Sequence, residues 1–190
     1  MRIQRSALLS ITAILIVTLV ATTVQRTSIA SDKEKPSQAE PGDVVSPSTI
    51  DEARGRAKLL HETIHGTLQI MHRDFFDEDN AHAIPSSSLE DVFHELSKSH
   101  HVTLRWLNVN TDVVNVDHNP QDDFERRAVD ELATGKADFE AVDEGRFRYA
   151  GRIRLASQCL KCHVKNRTST QDRAAGLLIS MPIQSVNSAR

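Results

Sequence analysis

Two cysteines and one histidine near the C-terminus form the most distinctive group of reactive side chains in the 190-residue chain, in the order Cys159-Leu160-Lys161-Cys162-His163. The chain has no other cysteine. Two thiols at this spacing can each add to one vinyl group of the same porphyrin, and the histidine that follows can then reach the iron. The pentapeptide therefore predicts one covalently attached haem c. Cys159 and Cys162 are its predicted attachment sites, and His163 is the predicted proximal ligand of the iron.

Three other interpretations of the C-x-x-C-H pentapeptide compete with haem attachment. A thioredoxin-like redox pair is expected at the start of a helix in a βαβ unit, whereas a strand pattern precedes these cysteines and a polar stretch follows them. A zinc site needs four ligands, and the other histidines lie far away in sequence. The third is a structural disulfide. An export segment at the N-terminus favours haem, because bacteria attach haem c on the far side of the membrane.

The second axial ligand of the iron has its candidates on one predicted helix. His61, His65 and His72 lie along one edge of that helix, because residues four and seven apart share a helical face. His72 is the first candidate for the distal ligand and His65 is the alternative, whereas Met71 is expected in the core. A sixth position open to NO or CO is a further alternative. The remaining histidines are predicted to be solvated: His82, His94, His100, His101 and His118.

Basic side chains near the motif are candidates for pairing with the haem propionates, since arginine and lysine bind carboxylates. For any single one of them, an ordinary solvated strand face or loop is the favoured interpretation. The residues are Arg146, Arg148, Arg152 and Arg154 before the motif, and Lys161, Lys165 and Arg167 within and after it.

A long helix is predicted to begin the domain. Ser48 and Thr49 each precede an acidic residue by three positions, which is a capping-box signature. Apolar residues then recur at spacings of three and four from Ala53 to Phe75, as on one face of a helix.

The remaining elements predict an α+β domain, because short antiparallel strands follow helices gathered at the start. In chain order they are a helix at 89–97 capped by Ser87 and Glu90, a strand at 102–106, a helix at 122–133 ended by Gly135, a turn at 143–145, a strand at 147–155 with a bulge at Gly151, a polar loop at 165–173 and a last strand at 177–181.

Residues 1–30 have the features of an export segment. Arg2 and Arg5 precede an uncharged, mostly apolar run from residue 7 to 24, and small residues at 28–30 suit a signal peptidase. A cleaved signal peptide is favoured over a retained N-terminal membrane anchor, because Thr and Ser make the run a poor spanning helix.

Either form of the export segment places the rest of the chain in the periplasm or on the outer face of the cytoplasmic membrane. Residues 31–49 mix charge with Pro, Ser and Gly and are predicted to be a linker, and residues 50–190 are predicted to form the domain. Three of the 23 basic residues and none of the 26 acidic ones lie in residues 1–30, so residues 31–190 carry 20 basic and 26 acidic side chains, a formal charge of −6. This charge argues against nucleic acid as a partner, and a membrane is expected as a partner only through an uncleaved N-terminal segment.

The order of elements and two sequence segments carry a resemblance to a known family. The segments are Arg152–His163, which includes C-L-x-C-H, and Gly176–Met181 within AGLLISMPI. Over about residues 50–185 the chain resembles a bacterial family of PAS-like domains with a single c-type haem. That family has long been classed as a domain of unknown function, and its type member is a cyanobacterial c-type haem protein.

The resemblance implies a PAS-like antiparallel sheet with an N-terminal long helix and additional helices. It also implies that Cys159 and Cys162 hold the haem and that His163 is proximal. Some members use a cysteine as the distal ligand. This chain has no third cysteine, so a histidine of the long helix is expected in its place.

The expected function is that of an extracytoplasmic redox or gas sensor domain or a small electron carrier, with a redox partner protein or a signalling partner. Domains of the resembled family occur alone or as the sensing part of membrane-bound signalling proteins. The chain is not expected to be an enzyme, because the sequence shows no separate catalytic constellation. One alternative is a small peroxidase- or reductase-like haem enzyme with an open iron site. Another is an interaction module with a structural disulfide and no haem.

Overall fold

The computed structural model describes residues 44–77 and 84–184. Helix α1, Ile50–Phe75, begins where the capping box predicts it. The Thr49 hydroxyl accepts a hydrogen bond from the Glu52 amide, and the Glu52 carboxylate accepts one from the Ser48 amide. Two neighbouring residues thus share the two halves of the capping box, and together they satisfy amides at the start of the helix. The predicted export segment and most of the predicted linker lie outside the described residues.

Helix α2, Pro85–His100, begins four residues before its predicted start. The capping box predicted at Ser87 and Glu90 is wrong, because proline in the first helical turn starts the helix without a side-chain cap. The Trp106 indole N–H donates to the Ser86 carbonyl at 3.1 Å, which ties the start of α2 to the sheet.

Four antiparallel strands form one sheet, and they are β1 Thr103–Asn108, β2 Asp138–Asp143, β3 Arg146–Arg154 and β4 Ala174–Pro182. Their order in the sheet is β1-β4-β3-β2. The strands predicted around 102–106, 147–155 and 177–181 are confirmed as β1, β3 and β4. Strand β2, which lies at the edge of the sheet and pairs with β3, was not predicted. Its first four residues are only partly buried and its last two are exposed, so the burial pattern does not alternate. The positive φ angles of Glu144 and Gly145, 47° and 74°, fit the tight turn that joins it to β3.

The predicted bulge at Gly151 is wrong. Gly151 pairs in unbroken register with Asp138 of β2 and Leu177 of β4. The glycine instead makes room for the buried ring of His61, whose Cδ2 would lie 2.1 Å from a Cβ atom placed at Gly151. A helix on one side of the sheet therefore determines the residue type in the strand.

The two remaining helices connect the strands. Helix α3, Asp123–Ala133, is capped by Asp122 and followed by Gly135, whose φ of 102° suits glycine, as predicted. Helix α4, Ser157–His163, was not predicted, and the segment 165–173 after it is free of helix and strand, as predicted.

Helices pack on both faces of the sheet. One core cluster joins α1 and α2 to Trp106, Phe147 and Ile179. The other joins α3 to Leu107 and Leu178 on the opposite face. The predicted α+β class with an antiparallel sheet and a long N-terminal helix is confirmed. Within the described ranges, no helix combines the length and apolar character needed to cross a bilayer.

Candidate functional site

Helix α4 carries the C-x-x-C-H pentapeptide, with its three reactive side chains on residues three and four positions apart. Cys159 and His163 both line a cavity, while Cys162 is exposed. Both thiols are free, so the structure contains no disulfide between them. The C-x-x-C pair lies on a helix after all, but that helix joins antiparallel strands and not the parallel pair of a βαβ unit.

The cavity beside α4 has largely apolar walls contributed by α1 and the sheet. Its enclosed volume is about 100 Å³. The apolar lining residues are Leu68, Trp106, Leu107, Ile153, Leu155 and Ala175. An apolar pocket with a few convergent polar groups is the usual form of a cofactor site.

His72 and His118 are the histidines whose electrostatic effect reaches His163 across the cavity. Burial, and then these two histidines, lower the pKa of His163. Burial also lowers the pKa of His72. Both imidazoles are therefore neutral at pH 7, which is the form that binds a metal ion. The buried His163 Nδ1 has no hydrogen-bond partner among the described residues.

His65 also lines the cavity, but its ring is engaged by residues of its own helix. Its Nε2 lies 2.8 Å from the Gln69 side-chain nitrogen, and its ring centroid lies 5.7 Å from that of His61. Of the two predicted distal candidates, His72 is therefore the one that lowers the pKa of His163.

The prediction that His118 is solvated is wrong. Its side chain is 20% exposed and lines the cavity, and its Nε2 lies 3.0 Å from Glu90 Oε1. A short 3-10 helix, Val116–His118, positions it. Local sequence gives no signal for this placement, because it depends on Asn108 of β1 holding the Asn115 carbonyl. His94 and His101 are exposed as predicted, His100 is half-buried, and His82 lies outside the described residues.

Most of the arginines before the motif have partners within the protein. Arg146 donates to Ser180, and Arg152 donates to the Leu132 carbonyl. Arg148 pairs with Asp122 at 2.7 Å. Arg154 differs, because it lines the cavity, its side chain is 70% exposed, and its ion pair with Asp172 is 3.3 Å long. Arg154 is therefore the arginine of the row that is best placed to meet a propionate.

The cavity offers groups of the kind that a covalently attached porphyrin needs, although Cys162 does not line it. The Cys159 thiol is free, His163 Nδ1 has no partner in the part of the chain that the structure describes, and His72 lines the same cavity. The enclosed volume of about 100 Å³ is smaller than that of ordinary ligand pockets, about 300–1,000 Å³. A porphyrin would therefore extend beyond the enclosed space.

A second cluster, formed by His61, Glu62 and His65, was not predicted from the sequence. One ligand atom from each residue lies within 4.8 Å of the others. The signal was present, since residues 61–65 read H-E-x-x-H, a spacing that places both histidines on one face of a helix.

Comparisons with known proteins agree with this arrangement of elements. The crystal structure of the cyanobacterial heme-protein Tll0287 is similar, with a TM-score of 0.56 and 16% sequence identity over 72% of this chain and 99% of that one. This likeness shows the fold. No curated protein matches the chain. The model of the Tll0287-like family matches residues 46–178, which is more than half of the sequence, and the chain therefore belongs to the Tll0287-like family.

Proposed function

We propose that this chain is a c-type haem-binding protein that acts outside the cytoplasm as a redox or gas sensor domain or a small electron carrier. Cys159 and Cys162 hold the haem through two thioether bonds, His163 is its proximal ligand and His72 its distal ligand. The observation that carries the proposal is the C-x-x-C-H pentapeptide on α4, with Cys159 and His163 lining the same cavity as His72.

Family membership and the chemistry of the cavity support this proposal. The similar cyanobacterial protein is described as a heme-protein. A bound haem would supply one-electron redox chemistry, and a pair of histidine ligands and apolar walls are among the features by which a protein sets its potential. Arg154 at the cavity mouth offers a positive charge to a propionate.

The proposed role requires a second protein. One haem in a chain of this size either passes single electrons or reports the state of its iron, and in both cases a redox or signalling partner must receive the result. The predicted export segment would place this exchange in the periplasm or at the outer face of the cytoplasmic membrane.

One observation favours a small haem enzyme as the second candidate. His118 and Glu90 form a hydrogen-bonded pair at 3.0 Å, and the histidine lines the cavity. A histidine oriented by a carboxylate can take up or deliver a proton. This candidate requires an open iron site, which the proposed His72 ligand would close.

Denaturing electrophoresis of protein produced with haem-attachment machinery tests the proposal. We expect the haem colour to remain with the polypeptide band, because thioether bonds survive detergent and heat. We also expect the visible spectrum to show low-spin iron that does not respond to CO. A colourless band would overturn the proposal, and a coloured band with CO-reactive, high-spin iron would favour the enzyme.

Replacement of His72 by alanine is expected to open the sixth iron position. The variant should lose the low-spin spectrum and become reactive with CO, because His72 supplies the second imidazole. His94→Ala, on the exposed face of α2, is the matched control and should leave the spectrum unchanged. If His65→Ala has this effect and His72→Ala does not, His65 is the distal ligand. If neither variant has it, α1 does not ligate the iron.

A further inference from the structure

A second polar cluster on α1 lines a cleft other than the cavity proposed for the haem. His61, Glu62 and His65 line an open cleft of about 540 Å³, bordered by Gly135 and Tyr149. His65 lines both this cleft and the cavity beside α4. His61 and Glu62 line the cleft but not the cavity. The cluster therefore offers ligands that the proposed haem does not use.

The geometry points to a binding site for one divalent transition-metal ion of the zinc class, held by the imidazoles of His61 and His65 and the carboxylate of Glu62. Residues i and i+4 of a helix project from the same face, and the H-E-x-x-H spacing uses this relation to bring two histidines onto one ion. Imidazole and carboxylate ligands suit zinc, at about 2.0–2.2 Å from the metal. The three ligand atoms lie within 4.8 Å of one another. Rotation of the exposed Glu62 and half-buried His65 side chains toward His61 would bring them to such distances from one ion.

The buried ring of His61 presents one of its two nitrogens to Glu62. The residue is 4% exposed, and its Nδ1 lies 3.1 Å from Glu62 Oε1. Its Nε2 is buried with no hydrogen-bond partner among the described residues. Nε2 packs against Gly151 of β3, where an added Cβ would lie 2.4 Å from it. Nδ1 is therefore the nitrogen of His61 that can reach an ion beside Glu62.

His65 is prepared for the same role. Its ring centroid lies 5.7 Å from that of His61, so the two imidazoles are neighbours on α1. The Gln69 amide lies 2.8 Å from its Nε2. The amide nitrogen is the atom that faces the ring. A flip of this amide lets its oxygen accept the Nε2 proton and leaves Nδ1 for the ion, and metal-bound histidines commonly have such a second partner.

Two basic residues line the cleft with the cluster. The charge of Lys58 is balanced by an ion pair of 3.0 Å with Asp138, whereas Arg152 donates to the neutral Leu132 carbonyl and keeps its positive charge. Glu62 is 75% exposed at the cleft, so its carboxylate can turn toward an ion. Three protein ligands leave one tetrahedral position to solvent from the cleft.

Titration of the chelator-treated, haem-loaded protein with Zn²⁺, followed by calorimetry, tests this inference. We expect one ion per chain. Glu62→Gln and His65→Gln should each weaken Zn²⁺ binding by about tenfold or more, as losing a ligand costs at least as much as losing a residue that supports one. His94→Gln, which removes an exposed histidine of α2, should change the affinity less than about twofold. Glu62→Gln is the decisive variant because an exposed side chain can be replaced without loss of folding.

The same titration on the Cys159→Ser/Cys162→Ser double variant separates this inference from the proposed haem, on which it does not depend. That variant has neither haem nor thiols and should still bind one Zn²⁺. If zinc binds only when both thiols are present and free, the ion belongs to α4 and the inference is overturned. Equal weakening by His94→Gln and His65→Gln, or no binding at all, would also overturn it. A colourless wild-type protein with zinc binding retained in the double variant would defeat the haem proposal alone.

Discussion

Replacing both Cys159 and Cys162 by serine is expected to remove all covalently bound haem from the protein. Serine hydroxyls do not form the thioether bonds that the proposal requires. The fold should survive, because Cys162 is exposed and Cys159 is half-buried at a cavity wall, so neither thiol is part of the packed core. The measurement is the haem absorbance of the polypeptide band after denaturing electrophoresis, with circular dichroism as the check of folding.

Two further measurements make this result specific. Ser157→Ala changes an exposed residue of the same helix and should retain the full haem content. In the wild-type protein, a maleimide should label neither cysteine after denaturation, because both sulfur atoms are in thioether bonds. Labelling of both thiols in protein from cells with active attachment machinery would contradict haem attachment. It would instead favour a dithiol redox pair, an interpretation that the position of Cys159 on a helix leaves open.

The parts of the fold that could be predicted from the sequence are those specified by local pattern. Helix α1 has a capping box and an apolar stripe, although Phe75 at the end of the predicted stripe is 77% exposed. In β3 the arginines alternate with buried residues except at Ala150 and Gly151, which are both buried. Edge strand β2 escaped prediction because its partly buried residues lack such alternation. The turn at Glu144 and Gly145 implies a hairpin, and it was the available signal for β2.

The site could be predicted only where its reactive residues are close together in the sequence. The spacing of Cys159, Cys162 and His163 indicates a haem attachment site without any knowledge of the fold. His118 reaches the same cavity from a 3-10 helix, held there by contacts with β1 and α2. No local pattern predicts such contacts, because they depend on how distant segments pack.

Gly151→Ala is expected to destabilise the domain by about 2–3 kcal/mol, the cost of forcing an extra methyl group into a packed core. The added Cβ would lie 2.1 Å from His61 Cδ2 and 2.4 Å from His61 Nε2. The ring has little freedom to withdraw, because it is buried and packs edge-on against Tyr149 at a centroid distance of 6.0 Å. Urea unfolding of wild type and variant in the same haem state measures the loss.

Gly66→Ala on α1 is the matched control for Gly151→Ala. A Cβ at Gly66 meets nothing within 4 Å. Alanine is the better helix former by about 1 kcal/mol, so this variant should be more stable than the wild type.

A double variant tests whether the stability lost in Gly151→Ala is due to the ring of His61. Adding His61→Ala to Gly151→Ala should cost less than His61→Ala does alone, because the new methyl group then fills space that the ring has left. Additive losses of stability would mean that the two side chains are not in contact as the structure shows.

Since His61 is also a ligand of the inferred cation site, Gly151→Ala should weaken Zn²⁺ binding together with stability, whereas Gly66→Ala should leave the Zn²⁺ affinity unchanged. This pair of glycine variants therefore tests both the packing of His61 and its proposed role as a ligand.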